Sequence, residues 1–182
     1  EPAGFISAYV HSSVSGTVKA IEKRLLATGG MAESIVIEND GLYEEAAPFH
    51  DKNPEELTRD EIIKIVEEAG IVGMGGAGFP TNIKLSPKNP ESITTIIVNG
   101  AECEPYLTSD YRRMVEQGEI LVKGLKVVLS LFPFSMGYFG IEDNKPEAIR
   151  ILSELVEAEP QIEVKKLKTK YPQGGERSLI YA

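Results

Sequence analysis

The sequence has 182 residues, of which 28 are acidic and 19 are basic, so its formal net charge is −9. That length allows one medium domain or two small ones, and the negative charge argues against a nucleic-acid binder, which needs a basic surface. A single cysteine and two histidines exclude an internal disulfide and a cysteine-rich metal site within these residues. No apolar run approaches the ~20 residues of a membrane span.

The first 50 residues have the pattern of a small all-β unit. Strand-like runs at 6–10, 17–21 and 34–38 are separated by turns that contain glycine, serine or asparagine. Two prolines in the segment 47–54 indicate a linker. We therefore predict one domain over residues 1–50 and a second over residues 51–182.

From residue 51 onward, helical and strand-like segments alternate. A helix is predicted over 58–69, where Thr58 and Glu61 have the spacing of a capping box and Gly70 ends the helix. Strands are predicted at 94–98, 137–141 and 162–167, the first two of them buried, and further helices at 113–131, 146–158 and 176–182. This alternation predicts an α/β fold in which helices cover a parallel sheet.

The most informative segment is the glycine-rich run at 73–78, Gly-Met-Gly-Gly-Ala-Gly. Glycines allow a close backbone approach, and successive N–H groups in such a loop favour a phosphate. Phe79 adds a flat apolar ring and Lys84 adds a positive charge, so the segment indicates a nucleotide or flavin site. A helix precedes it and no Gly-Lys-Ser/Thr follows, so it is neither an ordinary dinucleotide-binding turn nor a P-loop. A plain turn remains the alternative.

Polar segments follow the three predicted strands, at 99–105, 142–144 and 168–176. Ligands of parallel sheets gather beyond the carboxyl ends of strands, so these segments are candidate binding loops. Asn99 can offer its amide to a ring or a ribityl chain, and Glu102 can accept hydrogen bonds from sugar hydroxyls. A turn for the asparagine and a solvated loop for the glutamate are the alternatives. No catalytic triad or dyad can be assembled.

Taken in order, these motifs resemble the RnfC family of subunits of the Rnf electron-transport complex. They are more distantly similar to the flavin subunit of respiratory complex I. The segments concerned are 73–81, 99–105, 140–146 and 168–176. The resemblance is strong over about 60–182, and residues 5–45 resemble the family's barrel-sandwich hybrid domain, without the modified lysine of lipoyl and biotin carriers.

The resemblance implies a Rossmann-like domain that binds FMN and accepts hydride from NADH, with no catalytic acid or base from the protein and no metal ligand. The implied cofactor-binding residues are Gly73, Gly75, Gly76, Lys84, Asn99, Glu102, Tyr171, Gly174, Gly175 and Glu176. The implied NADH contacts are Phe79, Glu104 and Glu176. This chain has Ala101 and Met74 where the complex I relatives carry an acidic and a basic residue, which affects one flavin contact.

The resemblance also implies that the chain is an N-terminal fragment. The family's [4Fe-4S] clusters would lie in a following region, and the fragment alone would be inactive. Implied partners are the other subunits of a membrane complex and a ferredoxin-type carrier, with no nucleic acid. The implied location is cytoplasmic, on the inner face of the bacterial membrane, without a span of its own. The alternative is a non-catalytic docking or scaffold module of a soluble relative of the proline reductase-associated or cobalamin reductase type.

Overall fold

The structure is a computed structural model that describes residues 4–47, 53–74 and 77–182. The chain forms two compact units, one of Glu1–Asn53 with Glu61–Asn82 and the other of Pro54–Asp60 with Ile83–Ala182, and each is described by itself. Most of the predicted linker lies outside the described residues. The predicted domain boundary at residue 50 stays a prediction.

The first unit contains an antiparallel hairpin of two strands. Strand β1 (Gly16–Leu25) pairs with β2 (Met31–Asn39) from Gly16 opposite Asn39 to Leu25 opposite Met31, with an irregularity between Val18 and Ala20. The strands predicted at 17–21 and 34–38 are confirmed, and both are longer than predicted. They extend because a tight turn, closed by the Leu26 amide on the Gly30 carbonyl at 2.7 Å, keeps them in register.

The strand predicted at 6–10 is wrong, because residues 7–10 have no regular secondary structure. This segment lies instead against the end of helix α1 (Arg59–Glu68). Helix α1 confirms the helix predicted over 58–69. His11 Nε2 is 2.8 Å from the Glu68 carbonyl oxygen. Gly70 has a φ of +66°, and a Cβ at that position would be 2.2 Å from the Tyr9 carbonyl oxygen. The glycine therefore ends the helix and also admits the neighbouring backbone.

The second unit is a parallel three-stranded sheet in the order β3 (Thr95–Gly100), β4 (Met136–Glu142) and β5 (Ile162–Leu167). It confirms the predicted α/β fold and the positions of the three predicted strands, but the burial predicted for the strand at 94–98 is wrong, because Thr95, Ile97 and Asn99 on one face of β3 are exposed. Among the described residues, the remaining α-helices are α2 (Thr81–Lys84), α3 (Ser109–Glu116), α4 (Gly118–Ser130), α5 (Pro146–Val156) and α6 (Glu176–Ile180). None of the helices in the described part of the chain is long and apolar enough to cross a membrane.

The hydrophobic core lies between the sheet and the helices α3, α4 and α5. Phe139 and Ile141 of the central strand are buried in it together with Leu152 of α5. Gly137 lies on the same face of β4, and a Cβ there would be 3.0 Å from a methyl group of Leu125. The absence of a side chain therefore lets α4 pack closely on the sheet.

The single helix predicted over 113–131 is wrong, because the structure has α3 and α4 in its place. The break is at Gln117, whose φ of −131° and ψ of 28° are not helical. Gly118 follows, and a Cβ there would be 2.8 Å from a methyl group of Leu155. The change of direction therefore brings the start of α4 against α5, and this tertiary contact has no signature in the local apolar pattern.

Candidate functional site

A cleft of about 390 Å³ lies beyond the carboxyl ends of the parallel strands, where the sequence predicts binding loops. The loop after each strand contributes to its wall. The lining residues are Glu102, Cys103, Glu104, Pro105, Tyr106, Leu107, Thr108, Glu142, Asn144, Lys145, Thr169, Lys170 and Tyr171. Carboxylates, hydroxyls, ammonium groups and two tyrosine rings thus face one space, a donor and acceptor set that suits a phosphorylated, hydroxylated ligand.

Two of these loops are joined through the backbone of Gly174. Asn99 Nδ2 donates to the Gly174 carbonyl at 2.8 Å, and the Gly174 amide donates to Cys103 Sγ at 3.2 Å. A Cβ on Gly174 would be 2.5 Å from the Ala101 carbonyl oxygen and 2.9 Å from Cys103 Sγ. The glycine is therefore required by the contact between the loops. We call this arrangement of Asn99, Cys103 and Gly174 the loop junction.

The loop junction changes how two predicted site residues are understood. Asn99 uses its amide within the protein, since Asn99 Oδ1 also accepts from the Ala101 amide at 3.1 Å. The Gly175 amide donates to the Pro172 carbonyl at 3.2 Å, so it too has a partner in the protein. These residues fix the shape of the loops, and their role toward a cofactor stays a prediction.

Glu102 anchors the loop after β3 to helix α3. Its side chain is 2% exposed, and its carboxylate accepts the Asp110 amide at 3.0 Å and the Tyr111 amide at 3.4 Å. Thr108 precedes the helix without a side-chain capping bond, so Glu102 supplies the cap from a distance. Burial, and then the charge of Glu102, raise the pKa of the Asp110 carboxyl above its ordinary value.

Lys145 is the cation beside Glu102 and was not predicted from the sequence. Its ammonium is 3.8 Å from Glu102 Oε2, and its side chain is 16% exposed. The same ammonium lies 5.2 Å from the centre of the Tyr111 ring. The sequence around Lys145 gives no indication that it pairs with Glu102, because the two residues are far apart in the chain.

Gln173 is the second residue that the sequence did not reveal. Its side chain is fully buried, and neither amide atom has a hydrogen-bond partner in the protein. An unpaired buried amide destabilises a fold by about 1–3 kcal/mol. It belongs to the same loop as Tyr171, which lines the cleft. Native proteins seldom leave such a group unpaired, so it marks a position of functional interest.

Replacing Gln173 with methionine is expected to stabilise the unliganded protein by about 1–2 kcal/mol, because a similar volume is kept while the unpaired amide is removed. Urea denaturation with and without FMN measures the effect. Gln161→Met is the matched control, since Gln161 is exposed and its amide donates weakly to the Pro133 carbonyl at 3.5 Å. Destabilisation of the Gln173 variant in the absence of ligand would contradict this prediction.

Asp143 joins the end of β4 to the loop after β5. Asp143 Oδ1 accepts the Thr169 hydroxyl at 2.5 Å and the Thr169 amide at 3.0 Å. Both hydrogen bonds, the hydroxyl first, lower the pKa of the Asp143 carboxyl below its ordinary value of 3.8. The nearby Glu142, 1% exposed, accepts the Lys170 amide at 3.1 Å. The adjacent carboxylates of Glu142 and Asp143 thus hold residues 169–170, which line the cleft.

The Asp143 contact makes the loop sensitive to acid. Since the pKa of the Asp143 carboxyl is lowered in the folded protein, the stabilisation that its carboxylate gives is complete well above pH 3.8. That stabilisation is lost as the pH falls through the lowered pKa. We expect protection of the Thr169 amide against hydrogen exchange to decrease over that range, after correction for intrinsic exchange. In Asp143→Ala, protection is expected to be low already at about pH 5, where the wild-type carboxylate is still ionised. Equal protection in both proteins at that pH would contradict this role.

The glycine-rich loop belongs to the first compact unit. Its base is closed by the Gly73 amide on the Phe79 carbonyl at 2.8 Å and the Thr81 amide on the Ile71 carbonyl at 2.9 Å. Gly73 therefore uses its own N–H at the base of the loop. Gly78 has a φ of +60°, and a Cβ there would meet no atom within 4 Å. The predicted cofactor contacts Gly75 and Gly76 lie outside the described residues.

The other predicted site residues have varied surroundings. Within the first unit, Phe79 is half-buried. In the second unit, Glu104 and Tyr171 line the cleft. Lys84 is the exposed last residue of α2, and Glu176 is the exposed first residue of α6. Within the part of the chain that the structure describes, no group of three or more potential metal ligands comes together.

Two family models match the chain. One is described as the RnfC barrel sandwich hybrid domain and matches residues 1–42, and the other is described as the Nuo51 FMN-binding domain and matches residues 66–182. The chain belongs to the RnfC family. The matches and the two sheets confirm both the predicted family and the predicted pair of folds, a barrel-sandwich hybrid followed by a Rossmann-like domain of the complex I flavin-subunit type.

Curated RnfC-family relatives match almost the entire chain. It is 45% identical to a subunit of the Na⁺-translocating ferredoxin:NAD⁺ oxidoreductase complex of Acetobacterium woodii, over 100% of the chain and 41% of the relative. It is 43% identical to a subunit of the proton-translocating ferredoxin:NAD⁺ oxidoreductase complex of Clostridium ljungdahlii, over 97% of the chain and 38% of the relative. It is 40% identical to a subunit of the ion-translocating oxidoreductase complex of Pseudomonas aeruginosa, over 98% of the chain and 23% of the relative. The chain thus spans less than half the length of each of these relatives.

Proposed function

We propose that this chain is the FMN-binding, NADH-oxidising section of an electron-transport subunit. The observation that carries the proposal is the cleft beyond strands β3, β4 and β5, in a domain that matches the Nuo51 FMN-binding model. Its walls come from the loops that the sequence predicted as binding loops. When bound there, FMN would supply the chemistry that links two-electron hydride transfer from NADH to one-electron transfer.

The described residues of the cleft fit a flavin nucleotide in the polar groups that they present. The cleft itself presents the Glu104 carboxylate, the Thr169 hydroxyl and the exposed Lys170, which suit a ribityl chain and a phosphate. These groups would bind and orient the cofactor, and none of them has to transfer a proton.

The loop junction and Glu102 serve this site as supports. Asn99 and Cys103 fix the Gly174 peptide, while Glu102 holds the loop after β3 against α3. Sites built this way lose little entropy when the ligand binds, because their loops are already ordered. That Gly73, Gly75, Gly76, Phe79, Lys84 and Glu176 also contact FMN or NADH stays a prediction from the resemblance.

The wider assembly is part of the same proposal. The relatives' names describe subunits of ferredoxin:NAD⁺ oxidoreductase complexes. We infer corresponding partners for this chain, namely the other subunits of a membrane complex and a ferredoxin-type carrier, with [4Fe-4S] clusters outside these residues. Its place would be peripheral, on the inner face of the membrane.

Ligand binding by the full-length protein tests the proposal. FMN is added and its fluorescence followed, and then NADH is added under anaerobic conditions while flavin absorbance is recorded. We expect tight FMN binding followed by loss of the oxidised-flavin absorbance. Absence of FMN binding would overturn the proposal and favour the docking or scaffold alternative.

A thiol measurement locates the site. Cys103 is the single cysteine of residues 1–182 and lines the cleft. In this segment alone, FMN at saturating concentration is expected to slow the reaction of the thiol with a maleimide, and riboflavin is a control that lacks the phosphate. If FMN binds while the maleimide rate is unchanged, the cofactor lies elsewhere.

A further inference from the structure

The turn that follows Glu104 has an unusual residue at its third position. The Leu107 amide donates to the Glu104 carbonyl at 3.3 Å, and Pro105 and Tyr106 lie between them. Tyr106 has a φ of +64°. Proline followed by a positive φ is the pattern of a type II turn, whose third residue is normally glycine or asparagine. A tyrosine in the left-handed region is strained, and such outliers concentrate at ligand sites.

The strained residue gains nothing from packing within the second unit. The side chain of Tyr106 is fully exposed, at 103% of the reference area. A buried ring would compensate for the backbone strain, but this ring contributes no burial to the fold. The strain at Tyr106 is therefore better explained by a contact that the protein makes when a ligand is present.

A second exposed aromatic side chain lines the same cleft. Tyr171, in the loop after β5, is 78% exposed, and both tyrosines contribute to the cleft wall. Flat aromatic rings stack well on flat heteroaromatic rings, and exposed tyrosines serve this purpose at little cost in conformational entropy. The exposed Lys170 lies beside Tyr171, where its charge can face a phosphate.

We propose that Tyr106 is a stacking residue for the flat ring of a phosphorylated nucleotide, in the cleft that it lines together with Tyr171, for which the resemblance already implies a cofactor contact. The proposal rests on the proposed function and extends it to a residue that neither the motifs nor the resemblance identified. The stacked ring belongs either to FMN or to NADH, and binding measurements distinguish these two ligands. The turn carries a tyrosine in place of glycine because the ring, once stacked, compensates for the strain.

Binding measurements on the full-length protein test this assignment. Dissociation constants for FMN and for NADH are measured with wild type, Tyr106→Ala and Tyr106→Phe. Tyr106→Ala is expected to weaken one of the two ligands about tenfold or more, and Tyr106→Phe to remain within about twofold of wild type. The ligand whose affinity decreases is the one whose ring stacks on Tyr106. Unchanged constants for both ligands in Tyr106→Ala would overturn the proposal.

Tyr43 provides a matched control. It is also a tyrosine with a positive φ, of 53°, and it is 62% exposed, but it is not among the residues that line the cleft. Tyr43→Ala is expected to bind both nucleotides like wild type. A loss equal to that of Tyr106→Ala would mean that removal of any exposed tyrosine has this effect, which would also overturn the proposal.

Tyr106→Gly separates a ligand role from a structural one. Glycine suits the positive φ, so hydrogen-exchange protection of the amides at 103–108 is expected to rise several-fold without ligand. Nucleotide binding is nevertheless expected to weaken as in Tyr106→Ala. Retained affinity would refute the proposal. If wild type itself binds neither FMN nor NADH, the proposed function fails first, and the stacking assignment fails with it.

Discussion

Gly174→Ala is expected to destabilise the protein by about 2–4 kcal/mol and to abolish FMN retention. Even a methyl group at this position would lie 2.5 Å from the Ala101 carbonyl oxygen, which is backbone and cannot rotate away. The loops after β3 and β5 would have to separate. The hydrogen bonds from Asn99 to Gly174 and from Gly174 to Cys103 would then be lost together. Urea denaturation and the flavin content of the purified protein measure the two effects.

The same substitution at Gly124 is the control, and it is expected to have the opposite sign. Gly124 lies inside α4, and a Cβ there would meet no atom within 4 Å. Alanine should therefore stabilise the helix by about 0.5–1 kcal/mol through helix propensity alone. If Gly174→Ala and Gly124→Ala were equally tolerated, the close approach at the loop junction would not exist in solution.

The architecture of the second unit was predictable because its strands have an unambiguous pattern. The run at 94–98 is almost entirely β-branched, and such a run suits a strand of a parallel sheet. Once three such strands alternate with helices, the sheet rule places their polar ends together. The cleft therefore followed from the sequence without knowledge of any side-chain contact.

The internal roles of the site residues were not predictable in the same way. Asn99 and Glu102 have chemistry that suits a ligand, and no local pattern indicates that Gly174 and Asp110 would occupy them. Such pairings join residues far apart in the chain or depend on where a helix begins. The break at Gln117 was missed for a related reason, since packing of Gly118 against α5 overrides local helix propensity.

Tyr106 shows a further limit of pattern reading. The proline before it indicates a turn, but the positive φ at its own position becomes visible only in three dimensions. Gln173 is similar, because a glutamine in a polar loop is expected to be solvated, whereas this one is buried. Residues that contradict their local pattern are the ones on which a functional hypothesis can be built.

Glu102→Ala is expected to cost about 3–5 kcal/mol, the largest stability loss among these variants. Removing the carboxylate leaves the Lys145 ammonium largely buried without its ion-pair partner, and it takes the acceptor from the Asp110 and Tyr111 amides. The uncompensated charge and the uncapped helix start both destabilise the folded protein. Urea denaturation measures the loss, and Glu104→Ala, two residues away and exposed, is expected to stay within about 0.5 kcal/mol of wild type.

A second substitution separates the charge of Glu102 from its hydrogen bonds. Glu102→Ala combined with Lys145→Met removes both members of the pair, so the buried unpaired charge disappears while the helix start stays uncapped. We expect the double variant to recover a substantial part of the stability, because an unpaired buried ion costs more than its absence. A double variant no more stable than Glu102→Ala would show that capping of α3 alone explains the anchor. In either case the carboxylate of Glu102 is already bound within the protein, so we expect any effect of these substitutions on FMN binding to come through the position of the loop after β3.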